Sequence, residues 1–207
     1  MARIILVTGT PGVGKTVFAK LLARQTGSTY LNIGELVKRA KLYRRFDRSS
    51  KTFVIDERRL RRSLRLYFDD NKGKGLIIDG HSFNGFMPRR RKMVALVLRL
   101  DPVILARRLK ARKWPRQKVW DNVESELIDV PLYEAWKFLG PARMYEINAT
   151  SKSPQKLVRQ AMALLSSNSG FEGTTVDWLH RYNPLDLQRR ILRWIVIELQ
   201  SVRDVTR

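Results

Sequence analysis

The chain has 207 residues, 43% of them hydrophobic and 29% charged, with no cysteine and two histidines. That mixture is globular rather than disordered, and it excludes disulfides, thiolate chemistry and a histidine-rich metal centre. Its 41 Lys and Arg against 19 Asp and Glu leave a net charge of +22, which points to polyanionic partners such as nucleotides, RNA or an RNA-rich particle. A heat-adapted surface is the bland alternative, but such surfaces carry Glu in numbers similar to Lys and Arg.

Met1-Ala-Arg3 leads straight into Ile4-Ile-Leu-Val7, a run expected of a strand buried on both faces. No signal-peptide pattern fits there, and no apolar run is long enough for a bilayer, so a reducing cytoplasmic setting without membrane contact is expected. Gly9-Thr-Pro-Gly-Val-Gly14-Lys15-Thr16 then matches G-x-x-x-x-G-K-[ST] between that strand and a helical pattern over Thr16–Arg24. Glycines let successive backbone N–H groups face a phosphate chain, and the helix N-terminus adds partial positive charge. Lys15 is expected on the β- and γ-phosphates and Thr16 on Mg²⁺, which makes ATP the expected ligand.

Tyr30–Ile33 reads as a second strand, followed by a helix from Glu35. The stretch Tyr43–Thr52 reads as polar and irregular, and Asp56 as the N-cap of a helix to about Phe68. Leu76-Ile-Ile-Asp79 is a buried strand ending in an acid, placed to hold Mg²⁺ through water beside the phosphate loop; a turn Asp before Gly80 is the plainer reading. His81 falls at the mouth of the sheet, where it would position the attacking group or water, although lone histidines are more often structural. Val94–Leu98 is a further buried strand, and Asp101-Pro102 opens a helix. After a break at Lys113–Arg116, a long helix is expected from about Gln117 to Leu139, then a fifth strand, Met144–Asn148, and a helix from Pro154 to about Leu165. Strands alternating with helices predict a three-layer α/β fold with a five-stranded parallel sheet.

The positive charge is concentrated. Residues 38–65 hold twelve basic residues against three acids, and residues 89–118 twelve against Asp101 alone. Most of these charges are solvated surface. A monophosphate kinase nevertheless needs cations around the transferring group. The first window lies where an acceptor-binding segment would be inserted, and the second ends in a candidate mobile lid, Arg112-Lys-Trp-Pro-Arg116-Gln-Lys118. Arg112 is the leading candidate, with Arg116 and Lys38 behind it.

Thr8-Gly-Thr-Pro-Gly-Val-Gly-Lys-Thr16, Tyr30-Leu-Asn-Ile-Gly-Glu-Leu36, Asp79-Gly-His81, Arg112-Lys-Trp and Asp121-Asn122-Val-Glu-Ser-Glu126 occur in this order. Together they resemble the adenylate kinase isoenzyme six type, the coilin-interacting nuclear ATPase and its archaeal counterparts, over about residues 1–165. The resemblance implies a P-loop nucleoside-monophosphate-kinase fold, with an acceptor-binding segment at about 32–56 and a lid at about 111–121. It implies conversion of ATP and AMP to two ADP, an ATPase activity and Mg²⁺. It also implies a role in small-subunit ribosome maturation beside universal small-subunit protein eleven, whose basic tail touches rRNA; the setting would be nuclear in a eukaryote. Carried over by position, Gly12, Val13, Gly14, Lys15, Thr16 and Val17 would hold the ATP phosphates, and Asp79 and His81 would form the family's Asp-x-His. Arg112 would be the lid arginine, Lys152 or Ser153 would lie near adenine, and Lys38, with Arg39 adjacent, would serve the acceptor phosphate. The sequence departs from the family at Lys113-Trp114, in place of Gly-Tyr, at Gly80, often aromatic, and at Lys38, often Arg.

Ser166–Gly170 is a candidate linker to a C-terminal extension, 166–207. Its apolar positions, Trp178, Leu179, Leu185, Leu187, Ile191, Leu192, Trp194, Ile195, Leu199 and Val202, suggest two short helices that pack on the main domain; a partner- or RNA-docking appendage is the alternative. Two other functions remain open: an ATP-driven assembly factor for which AMP is incidental, and an rRNA-binding module with a regulatory nucleotide pocket.

Overall fold

The structure, a computed structural model, describes residues 4–48, 52–89, 93–167 and 174–193. Its strands are β1 (Ile4–Thr8), β2 (Thr29–Asn32), β3 (Tyr43–Asp47), β4 (Thr52–Ile55), β5 (Leu76–Asp79), β6 (Met93–Arg99) and β7 (Met144–Asn148). Its helices include α1 (Lys15–Thr26), α2 (Ile33–Arg39), α3 (Glu57–Asp70), α4 (Pro102–Ala111), α5 (Arg116–Leu127), α6 (Val130–Leu139), α7 (Pro154–Ser167) and α8 (Trp178–Arg181), and residues 184–193 are helical as well. Five strands form one parallel sheet in the order β2-β5-β1-β6-β7, as expected from the buried apolar runs. Alternate residues of each strand enter opposite cores: Ile5, Val7, Leu96 and Leu98 pack with α1, α4, α5 and α7, while Leu6, Ile78, Ala95 and Val97 pack with α2, α3 and α6.

Two expectations fail. The stretch read as irregular is an antiparallel hairpin, β3 with β4, in which Tyr43 and Phe46 pack on Phe53 at centroid separations of 4.4 and 5.1 Å. Cross-strand aromatic contact holds it together, while the exposed Arg44 and Arg45 break up its alternation of apolar and polar residues in the sequence. The single long helix is two, α5 and α6. Asp129 turns left-handed at φ 60°, and Pro131 in the first turn of α6 has no N–H for the carbonyl of Leu127 and would clash with it.

The described part of the extension joins the core. Trp178, Leu187 and Ile191 are buried in the same cluster as α1 and α4, whereas Leu179 and Leu185 are exposed. The expected linker residues 168–170, and Trp194, Ile195, Leu199 and Val202, lie outside the described residues.

Candidate active site

The phosphate-binding motif spans the turn from β1 to α1. It lies at the carboxyl edge of the sheet, where the chain leaves the central strand with neighbours on both sides, the usual position for a ligand crevice. The turn tolerates no side chain at its tightest points. A Cβ on Gly9 would sit 2.3 Å from the Leu98 carbonyl oxygen, and one on Gly12 would sit 2.8 Å from both Leu105 and Leu109. Val13 is buried and anchors the turn, Gly14 precedes α1 with φ 112°, and Val17 is 60% exposed on the first turn of that helix. Lys15 Nζ donates to the carbonyls of Gly9 (2.7 Å) and Thr10 (3.1 Å), so its charge lies within the turn. Burial pulls its pKa down to about 8, against the opposing pull of Asp79 and Glu126. Arg108, which sequence reasoning missed, donates from α4 to the carbonyls of Gly12 (3.4 Å) and Val13 (3.1 Å).

Asp79 closes β5 and is almost wholly buried. Its Oδ2 accepts from the Thr16 hydroxyl (2.7 Å), the Asn32 amide (2.7 Å) and the Tyr30 hydroxyl (3.0 Å). Burial, with Asp79 adding to it, raises the Tyr30 pKa to about 12, so this donor keeps its proton. Three fixed donors hold the carboxylate aimed beside the phosphate turn. Among the described residues, no cluster of three His, Asp or Glu could hold a metal. Thr16 and Asp79 are the protein groups available to one, which suits Mg²⁺, an ion that keeps several waters and takes its other ligands from phosphates.

The His81 carbonyl accepts from Thr8 (3.0 Å), and its ring stands at an open cleft of about 580 Å³. Surrounding protein and the charge of Lys15 lower its pKa, leaving the imidazole neutral at pH 7. The cleft lies between α2, the β3–β4 hairpin and the segment after β5; Gly34, Val37, Lys38, Phe53 and Asn84 are among its walls. Lys38 Nζ stands 6.0 Å from the Phe53 ring centroid. A triphosphate turn and a nucleotide-sized cleft therefore meet at Asp79–His81.

The other expected residues are scattered. Arg112 caps the C-terminus of α4, exposed but close enough for its charge to depress the Lys15 pKa. Arg39 does not line the cleft, and Arg116 donates to the carbonyl of Leu192 (2.7 Å) in the extension. Beyond β7, Lys152 donates to Gln160 (3.0 Å), and Ser153 Oγ accepts from the Lys156 N–H (3.3 Å) at the start of α7.

Glu126, quoted in the sequence only as part of a motif, forms the back of the site. It is fully buried, and its Oε2 accepts from Thr10 of the phosphate turn at 2.5 Å. Its Oε1 accepts from Arg99 (2.8 Å), the Leu100 N–H (3.0 Å) and the Trp178 indole (3.2 Å). Arg99, also fully buried, is held as well by Glu146 (2.6 Å) and by Asp129. The sequence carries one signal for this: α5 buries Val119, Trp120, Val123, Glu126 and Leu127, so Glu126 falls on the apolar stripe.

Residues 5–129 match the AAA domain family. Over 180 residues the chain is 37% identical to a protein of Thermococcus onnurineus named "Putative adenylate kinase", with 87% of this chain and 93% of that one covered. A protein of the same name from Methanocaldococcus jannaschii is 33% identical, over 86% of this chain and 94% of its own. Among solved structures, a gluconokinase from Sinorhizobium meliloti aligns with a TM-score of 0.53 at 14% identity, covering 81% of this chain and 93% of that one. A thymidylate kinase from Candida albicans aligns at 0.52 and 15%, covering 81% and 92%. The two solved structures share the fold.

Proposed function

Because the chain belongs to the AAA domain family and to the archaeal group that carries the adenylate kinase name, we propose that it is a nucleoside-monophosphate kinase converting ATP and AMP to two ADP. One observation carries this reading: a second, nucleotide-sized cleft opens beside the phosphate turn, with Asp79 and His81 between the two. Hydrolysis alone would need no such cleft. In this reading the amides of Gly12 to Val17 and the Lys15 ammonium hold the ATP phosphates. Lys15 exchanges its bonds to Gly9 and Thr10 for phosphate oxygens. Arg112 closes from the lid at about 111–121 onto the transferring group, and Ser153 lies near the adenine. Mg²⁺, held through Thr16 and Asp79, supplies charge neutralisation across the phosphates. Neutral His81 orients the attacking oxygen, and Lys38 meets the acceptor phosphate. Catalysis is positioning and charge stabilisation, without a covalent intermediate.

A second reading has one observation in its favour. Among the described residues Lys38 is the only Lys or Arg lining the acceptor cleft, and Glu57 lines it too, which weakens the hold on a dianionic AMP and leaves water as a competing acceptor. The finer resemblance to the isoenzyme six type fits that ATPase activity. The +22 charge supports contact with a polyanion such as rRNA, and with the resemblance it completes a reading in which the protein acts in the cytoplasm on small-subunit assembly beside universal small-subunit protein eleven. We also take residues 1–165 as the kinase body and 166–207 as its extension. ADP and phosphate release from ATP, measured with and without AMP, separates the readings. The kinase reading expects AMP to multiply ADP formation without matching phosphate release; equal rates in both arms would refute it.

A further inference from the structure

A second open cleft, of about 590 Å³, lies next to the acceptor cleft; Arg61, Arg65, Asn84, Gly85, Pro88 and Arg89 line it, and among the described residues no acid does. Asn84 lines both clefts. So does α3: Glu57 stands in the acceptor cleft, and Arg61 and Arg65, one and two turns on, stand in the other. Spaced i, i+4 and i+8, these three form one stripe about 12 Å long leading from cleft to cleft. Arg58 and Arg62 are exposed on the same side of the helix and widen its positive face.

Two of the three arginines are already held in place. The Arg61 guanidinium donates to the Gly85 carbonyl, and that of Arg89 lies 5.4 Å from the Phe138 ring centroid. Held side chains lose less entropy when a ligand arrives. Of the nearby acids, Glu57 stands one turn before Arg61 with its carboxylate against Gly85, so its charge bears on Arg61 more than on Arg65, two turns away. Asp69, one turn beyond Arg65, pairs with Lys72 at 3.8 Å, and Glu134 lines a separate slot that also touches Phe138. Guanidinium forks match phosphate oxygens, and their planes also stack on bases. An arginine cleft that opens through Asn84 into a nucleotide-sized cleft suits a linear polyanion that carries phosphates past the arginines and has unpaired bases free to enter the neighbouring cleft, which a duplex and an acidic protein do not offer.

We propose that this cleft binds the phosphodiester backbone of a single-stranded polynucleotide, with Arg65 and Arg89 on adjacent phosphates. The proposal does not depend on the kinase reading, because its test measures binding and not turnover. Fluorescence anisotropy of the full chain with a ten-nucleotide oligoadenylate should show binding that weakens steeply with salt. A single strand loses about 0.7 in log K per log unit of salt for each phosphate neutralised. The variant Arg65→Ala/Arg89→Ala should then bind at least tenfold more weakly, with the slope flattened by about 1.4. The control variant Arg24→Ala/Arg159→Ala lies in a cleft of α1 and α7 across the sheet and should bind as the parent does. RNA and DNA of one sequence should bind within threefold of each other, since phosphates are what is held. Melting curves measured in parallel show that each variant is folded, and Arg65→Gln/Arg89→Gln replaces the alanine pair if it is not. Equal losses in both variants would make the binding diffuse charge and overturn the proposal. So would displacement of the strand by polyglutamate, a strong preference for either sugar, or no binding at all.

Discussion

Lys15 shows how one residue meets two opposing demands. Its place inside the phosphate turn puts a cation where anionic oxygens would lie, and the same burial lowers its pKa from 10.5 to about 8. The unfolded chain therefore binds this proton more tightly than the native one, and the cost is present at neutral pH. It amounts to about 3 kcal/mol and fades as pH rises from about 8 to 10.5. ATP needs the charged form. Calorimetric titration with a non-hydrolysable ATP analogue should give constant affinity up to pH 8, then a fall of up to tenfold per unit above it. Lys15→Ala should bind more weakly throughout and show no break at that pH, and its turnover should drop by about 10²- to 10³-fold. A flat profile in the parent protein would mean that Lys15 does not contact phosphate. The residue types here were legible in the sequence because the motif fixes their spacing. The three donors on Asp79 were less so: Tyr30 and Asn32 were visible as members of a strand and of a family motif, and it is β2 next to β5 that brings them to the carboxylate.

At the scale of elements, the parallel strands were legible because burial on both faces leaves no polar interruption, as in Ile4–Val7 and Leu76–Ile78. The hairpin was not, since its cohesion comes from aromatic contacts across strands, nor was the break between α5 and α6, where one proline overrides a continuous helical pattern. Glu126 was only partly legible: its place on the apolar stripe of α5 sets it apart from the exposed Asp121 and Glu124, but only the tertiary fold gives it Arg99 and Thr10. That bond makes α5 a strut for the phosphate turn. Thr10→Val would leave a buried carboxylate oxygen without its donor, at about 1–3 kcal/mol. The variant should melt lower and show a KM for ATP raised several-fold, and Thr10→Ser should restore both values. A KM unchanged in Thr10→Val would confine Glu126 to holding the helices together.

At the scale of the whole molecule, the extension and the nucleotide site form one connected structure. Trp178 donates to Glu126, and Thr175 donates through its N–H (2.6 Å) and hydroxyl (3.0 Å) to Glu146, so both ends of the buried cluster around Arg99 touch the extension. Tyr182 donates to Asp101 at 2.6 Å and Arg181 pairs with the same carboxylate at 3.3 Å; Asp101 caps α4, the helix that carries Arg108 to the phosphate turn and ends at Arg112. Arg116, at the start of α5, holds the carbonyl of Leu192. Each attachment leads back to the phosphate turn or to the connection between α4 and α5, so loss of the extension should act on catalysis as well as on stability. Removing one partner from a buried charged network typically costs about 3–5 kcal/mol. A chain ending at residue 173 should therefore melt far below the parent. The milder Trp178→Phe keeps most of the ring packing and removes one donor, so it should raise the KM for ATP more than it lowers the melting temperature. If Trp178→Phe lowers the melting temperature and leaves the KM for ATP unchanged, the extension supports the core without reaching the phosphate turn.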